Sequence, residues 1–337
     1  MDRRLNDSRD SASEQAYRPK VRLVSIDNED AGQRVDNYLV RELKGVPKTR
    51  VYRIIRKGEV RVNKKRVTAA YRLQDGDVLR IPPIRVSEKA DQVVAGGAVL
   101  EKLEASIIYE DDQLMIINKP SGIAVHGGSG INFGVIEAMR KLRPDARSLE
   151  LVHRLDRDTS GCLMIAKRRS MLRYLHNQFQ EDKVSKIYNA LVIGRWPNRK
   201  VLVNAPLQKN TLQSGERMVR VDLDGKKSKT RYQVLERYNH RGESATLVEA
   251  SPITGRTHQI RVHCLHAGHA ILGDDKYGTD EDNKRYRDFG LKRLFLHAAR
   301  LKLTLPDGTP LTVNAPLSSD LQTVLKTLET ERDGSSA

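Results

Sequence analysis

The spacing of hydrophobic positions changes period along the chain. Val35, Tyr38, Leu39 and Leu43 recur at helical spacing and predict a helix over residues 34–43. Pro47 suits the first turn of a second helix over 48–57, which Gly58 stops. Val51, Ile54 and Ile55 make one face of that helix, and Arg50, Arg53 and Lys57 follow i, i+3, i+7 spacing on another. One side packs and the other presents cations. Val60-Arg61-Val62 and Val67 flank Asn63-Lys64-Lys65-Arg66, which reads as a strand, a basic turn and a return. Asp75-Gly76-Asp77 turns the chain into a strand over 78–81, and Pro82-Pro83 ends a first compact unit, residues 21–84. Residues 1–20 are rich in Arg, Asp and Ser and are expected to form a disordered tail, as are 329–337. Residues 85–104, small and charged around Gly96-Gly97, read as a linker.

From residue 105 the pattern shifts. Apolar runs at 107–109 and 114–117 flank Glu110-Asp111-Asp112-Gln113, a hairpin signature. Helices are expected over 134–142 and 169–180, and strands over 163–166, 187–193, 228–235, 245–250 and 294–305. Many strands interrupted by few helices argue for an α+β unit, residues 105–328, with a largely antiparallel sheet. There is no internal repeat.

Composition narrows the class. The chain has 337 residues, enough for one large core or two domains. No apolar stretch approaches the roughly 20 residues of a membrane helix. The charged N-terminus does not read as a secretory signal, so Cys162 and Cys264 are expected to be reduced thiols in a cytoplasm. Sixty basic against 43 acidic residues give a net charge of +17, a field that favours polyanions. The charge is clustered: residues 41–66 hold eleven Lys/Arg and two Glu. That segment lacks the broad apolar, aromatic face of a membrane-surface helix.

Candidate chemistry concentrates at 151–161. Asp156 stands between Arg154 and Arg157, followed by Asp158, Thr159, Ser160 and Gly161, just before an apolar run. Cationic neighbours keep a carboxylate ionised, available as nucleophile or base. Tyr188 opens a strand, where a ring can stack on a base. Thr254-Gly255 turns into a helix expected to be capped by Thr257, and Arg261 lies one turn further, within reach of a carboxylate. The glycines of 118–130 fit neither phosphate-loop nor dinucleotide spacing. His258, His263, His266, His269 and Cys264 match no metal-ligand spacing, so neither cofactor nor metal is expected. Asp158 is too near Asp156 in sequence to complete a glycosidase pair across a sugar and reads as a loop-structuring acid.

HRLDRDTSG, KIYNALV and TGRTHQIRVH, in this order, resemble the motifs of the RluA-type family of RNA pseudouridine synthases. GVPKTRVYRIIRKGEVRVNKK resembles an S4 RNA-binding domain. The resemblance covers residues 21–328. It implies an α+β fold: a small S4 domain, then a catalytic domain on a mixed, largely antiparallel sheet with peripheral helices. It implies Asp156 as the catalytic aspartate, Tyr188 stacked on the target base, Arg261 paired with Asp156, and Arg154 filling the gap left by the extruded nucleotide. Tyr188 is also the candidate acceptor of the C5 proton. In the implied reaction the N1–C1′ bond of uridine breaks, uracil turns, and C5 joins C1′. Extruding a stacked uridine costs roughly a few kcal/mol. Arg50, Arg53, Lys57, Lys64 and Lys65 are expected to grip RNA phosphates. The expected partner is 23S ribosomal RNA or a large-subunit assembly intermediate, modified at several uridines by a monomer. The alternatives are a tRNA pseudouridine synthase and a non-catalytic S4-type ribosome-binding factor.

Overall fold

The computed structural model describes residues 20–43, 45–84, 96–127, 133–146, 148–199, 201–211, 217–240 and 242–330. The expected N-terminal tail, most of the expected linker, Gly128-Ser129-Gly130 and residues 331–337 lie outside them. The chain divides into two compact units at Gln92/Val93, within the expected linker.

In the first unit, β1 (Arg22–Ser25) precedes α1 (Val35–Glu42) and α2 (Lys48–Arg56); β2 (Arg61–Val62), β3 (Lys65–Arg66) and β4 (Val78–Ile81) follow. The strands order β1-β4-β2-β3, all antiparallel. Val35, Leu39, Val51, Ile54 and Ile55 are buried against Val62, Leu79 and Ile81, so the apolar stripes of both helices cover one sheet face. The turn between β2 and β3 is tighter than expected. Asn63 and Lys64 alone make it, both left-handed (φ 49° and 64°), and Lys65-Arg66 already pair with Arg61-Val62. Asparagine tolerates that conformation, and its amide is fixed by the Val78 N–H (2.9 Å) and the Asp77 carboxylate (2.8 Å).

The second unit opens with α3 (Gly97–Glu104), a correction to the linker reading. Leu103 is fully buried, and α3 packs on α4 (Val135–Leu142). Then come β5 (Ile107–Glu110), β6 (Leu114–Lys119), β7 (Glu150–Leu151), β8 (Ser160–Ala166), α5 (Arg169–Gln180) and β9 (Ser185–Ile193). The later strands are β10 (Leu202–Asn204), β11 (Leu207–Thr211), β12 (Arg217–Val221), β13 (Lys229–His240) and β14 (Glu243–Pro252). The unit continues through α6 (Gln259–His266), α7 (Asp280–Arg287), β15 (Leu296–Thr304), β16 (Pro310–Asn314) and α8 (Ser319–Thr330). The expected C-terminal tail thus begins inside α8.

The main sheet orders β10-β13-β14-β9-β15-β8-β6-β5, with β16 on β15 and β7 on β8. β8 and β15 run parallel; the other pairings are antiparallel. Every residue of β8 is buried, which explains its unbroken apolar run. Among the described residues no helix is long and apolar enough to cross a membrane.

Candidate active site

Asp156 sits on the loop between β7 and β8, and that loop is tied down by backbone. The Val152 N–H donates to the Met164 carbonyl (3.1 Å), and the Met164 N–H donates to His153 Nε2 (3.1 Å). Burial pulls His153 down to about 4, as does the Lys186 charge, so its ring stays a neutral acceptor. Lys119 is fully buried beneath the loop and donates to the carbonyls of Pro120, Ile123 and Arg157 at 2.7, 2.8 and 3.0 Å. Ser121 donates to the Asp158 carbonyl (2.7 Å). The Asp158 side chain pairs only with its exposed neighbour Arg157 (3.0 Å) among the described residues. Gly161 is the last constraint: its φ is 108°, and a Cβ there would stand 2.3 Å from the Ala298 carbonyl oxygen of β15. Only glycine admits that approach.

The fold brings Asp156, Tyr188, Arg261 and Arg154 to one cleft of about 420 Å³. Tyr188 enters from β9, beside β14 and β15. Arg261 enters from α6, and its Nη1 lies 3.7 Å from Asp156 Oδ2. Its main partner is a residue the sequence reading missed: Arg261 Nε and Nη2 grip Asp274 at 2.8 and 2.6 Å. Burial would lower the Arg261 pKa, but the bonds and charge of Asp274, with that of Asp156, hold it above its usual value. Tyr188 is pushed up, by burial first and the charge of Asp156 second. Its phenol therefore stays protonated, which suits stacking and donation and works against removal of the C5 proton. Arg154 is exposed, with no ionic partner among the described residues.

Helix α6 starts differently from expectation. Its N-cap is His258, left-handed at φ 52° and ψ 19°, and Thr257 stands one residue too early to cap. The Gln259 side chain reaches back instead, accepting from the Arg256 N–H (3.0 Å) and the Thr254 hydroxyl (2.7 Å). This places His258 Nε2 3.7 Å from Asp156 Oδ2, with Nδ1 2.7 Å from the Tyr277 hydroxyl. The remaining histidines scatter. His263 is buried between Ser228 and Thr230, and His269 lies against Trp196. Among the described residues no His/Cys/Asp/Glu group has metal-site geometry. Cys162 and Cys264 are free and buried.

A second cleft of about 540 Å³ shares Arg154, Asp156, His258 and Arg261 with the first and adds Lys276, Lys292 and Arg293. Asp156 thus stands on the wall between two concavities, one floored by Tyr188 and one rich in cations. Arg50, Arg53, Lys57, Lys64 and Lys65 belong to the other compact unit. There, Arg50, Arg53, Arg56 and Lys57 line a groove on α2, while Lys64 and Lys65 are exposed at the β2–β3 turn. Among the described residues none of the five expected contacts is ion-paired, which leaves them available to an external anion.

A carboxylate between cations beside a half-buried tyrosine, together with a separate basic unit, is the arrangement that the resemblance to RNA-modifying isomerases implies. The comparisons agree. Residues 113–266 match the family model "RNA pseudouridylate synthase" and residues 33–79 match "S4 domain". "Ribosomal large subunit pseudouridine synthase C" of Yersinia pestis is 54% identical over 314 residues, 92% of this chain and 96% of that protein. The protein of that name from Escherichia coli (strain K12) is 54% identical over 320 residues, 93% and 98% of the two chains. The solved structure "Human RNA Pseudouridylate Synthase Domain Containing 4" superposes with TM-score 0.56 at 27% identity, covering 69% of this chain and 96% of that one. This chain belongs to the RluA-type family of RNA pseudouridine synthases, isomerases, and carries an S4 domain.

Proposed function

We propose that this enzyme converts uridines of 23S ribosomal RNA to pseudouridine at more than one site, with Asp156 as the catalytic group. The observation that carries the site reading is the convergence on Asp156 Oδ2 of Arg261 and His258, both at 3.7 Å, above a cleft floored by Tyr188. The large-subunit target follows the relatives named for it, matched over nearly their full length. The flipped uracil lies in the first cleft against Tyr188. Its ribose faces Asp156, and the flanking phosphates pass into the cationic second cleft. Arg154, exposed at the rim of both, fills the vacated place in the RNA stack.

A carboxylate has two routes here: attack at C1′ or proton removal at C2′. Both need an ionised oxygen aimed at the sugar, and Arg261 supports that charge. C5 then bonds to C1′ and gives up its proton, while N1 gains one. Arg50, Arg53, Lys57, Lys64 and Lys65 hold RNA by its backbone, which positions without reading sequence.

Release of tritium from RNA carrying [5-³H]uridine measures the loss of the C5 proton. Asp156→Asn is expected to release none while still binding 23S RNA fragments. Undiminished release by Asp156→Asn rejects the site reading. Unchanged pseudouridine maps of 23S RNA after deletion of the protein, with loss in tRNA, reject the substrate reading in favour of tRNA.

A further inference from the structure

Arg261 alone does not position the Asp156 carboxylate. Two of its three nitrogens are committed to Asp274, and only Nη1 faces Asp156. His258 approaches the same oxygen, Oδ2, from a second direction. Both approaches stand at 3.7 Å, just beyond hydrogen-bond length, and both face Oδ2, which leaves Oδ1 for the nucleotide.

The protonation of His258 follows from its surroundings. The Tyr277 hydroxyl accepts the Val219 N–H (3.0 Å). Its single proton is therefore available for His258 Nδ1, 2.7 Å away. When Nδ1 accepts that proton, the neutral ring carries its own hydrogen on Nε2, facing Asp156. The rings of His258 and Tyr277 meet edge-on, at 76° and 5.5 Å between centroids. The Arg261 guanidinium lies 5.0 Å over the same tyrosine ring. The left-handed backbone at His258 is one that few residues besides Asn, Asp and His adopt, and such strain gathers at functional sites.

We propose that His258, locked by Tyr277 as a neutral Nε2–H donor, is a positioning residue that holds Asp156 by Oδ2 so that Oδ1 meets the target nucleotide. The inference rests on the assignment of Asp156 above. Hydrogen bonds at such sites commonly tighten from their unliganded length when substrate binds. Neutrality matters, because Arg261 already supplies one cation and a second would draw charge from the reacting carboxylate. Burial lowers the His258 pKa. The charges facing it are Asp156 and Asp274, which favour its protonation, and Arg261 and Lys276, which oppose it. Burial, with Arg261 and Lys276, thus favours the neutral imidazole over the protonated one.

Two substitutions separate reach from backbone tolerance in the full-length enzyme. His258→Asn accepts the left-handed backbone but is too short to reach Asp156. His258→Gln reaches with an amide N–H that does not titrate. Misplacement of a reacting group by about 1 Å costs on the order of 10²-fold in rate. His258→Asn is therefore expected to lose about 10²-fold in kcat with KM little changed. His258→Gln is expected to recover most of that loss, with an acid limb of kcat shallower than that of wild type. An Asn variant as active as the Gln variant, or a Gln variant whose acid limb superimposes on wild type, overturns the proposal. A histidine ¹⁵N–¹H long-range correlation spectrum of unmodified protein gives an answer even if both variants misfold. A signal for Nε2–H on His258 supports the proposal, and Nδ1–H refutes it. Asp156→Asn run alongside keeps the two readings apart. Activity in that variant removes the Asp156 assignment. Inactivity there, with wild-type behaviour in both His258 variants, removes only the role of His258.

Discussion

The buried pair Arg261–Asp274 makes the most demanding expectation. Their side chains are 8% and 0% exposed, and two hydrogen bonds of 2.8 and 2.6 Å join them. Asp274 Oδ1 also accepts the backbone N–H groups of Lys276 and Tyr277, each at 3.0 Å. Asp274→Ala leaves a guanidinium buried without its main counter-charge, a loss of about 3–5 kcal/mol for such pairs. Two orphaned N–H groups raise it by roughly 1 kcal/mol each where water cannot reach them. For a unit of this size each kcal/mol lowers the melting temperature by about 2–4 °C, so a fall of at least about 6 °C is expected. Asp274→Asn keeps the acceptor oxygen but not the charge, and is expected to fall between wild type and Ala. Turnover falls as well. The freed guanidinium turns onto Asp156 Oδ2 and holds the carboxylate away from the ribose, at a cost on the order of 10²-fold in kcat. Scanning calorimetry of the full chain and tritium release measure the two effects. A melting point within about 2 °C of wild type for Asp274→Ala, with full turnover, refutes the reasoning.

Lys119 links stability to pH. Burial pulls it down to about 7, with the charge of Arg293 acting the same way; Asp158 and Asp156 oppose, as do the three carbonyls it donates to, which a neutral amine with two N–H groups could not all satisfy. The unfolded chain holds that proton to about pH 10.4, so between these values the unfolded state binds more protons and stability rises with pH, by up to about 1.4 kcal/mol per unit. Relative to Lys119→Met, wild type is expected to gain stability from pH 7 to 8.5 in chemical denaturation; parallel pH dependences contradict this. In the S4 unit, replacing Arg50, Arg53 and Lys57 by Ala is expected to weaken 23S RNA binding and flatten the log–log salt dependence by about 0.7–0.9 per lost phosphate contact. An unaltered slope shows that these cations do not touch RNA.

The sequence pattern revealed most of the fold and part of the site. The apolar run of β8, the helix faces of α1 and α2 and the hairpin β5–β6 all follow from period and turn residues. α3 escaped because Gly96-Gly97 suggested a linker, although Val99, Leu100 and Leu103 already carry helical spacing. The convergence of Asp156, Tyr188 and Arg261, more than 100 residues apart at the extremes, came through motif resemblance; no local period encodes it. Asp274 and Tyr277 lie in a short loop with neither repeat nor motif, so their partners emerge only when β12 and α6 are in place. His258 looked like one helix histidine among several. Its left-handed backbone turns it toward Asp156, and that conformation is invisible in a residue string.

The position of β15 has a consequence for the order in which the enzyme comes into being. It lies between β9 and β8, joining the half of the sheet that carries Tyr188 to the half that carries Asp156. Yet it is made nearly last, at residues 296–304. At roughly 5–20 residues per second, synthesis from Asp156 to the end of β15 takes on the order of 7–30 s. Through that interval the S4 unit, complete by residue 92, can already fold and meet RNA, while the catalytic halves have no strand to join them. The S4 unit of a nascent chain is therefore complete before the site is, and a truncation that removes β15 is expected to leave the one and lose the other.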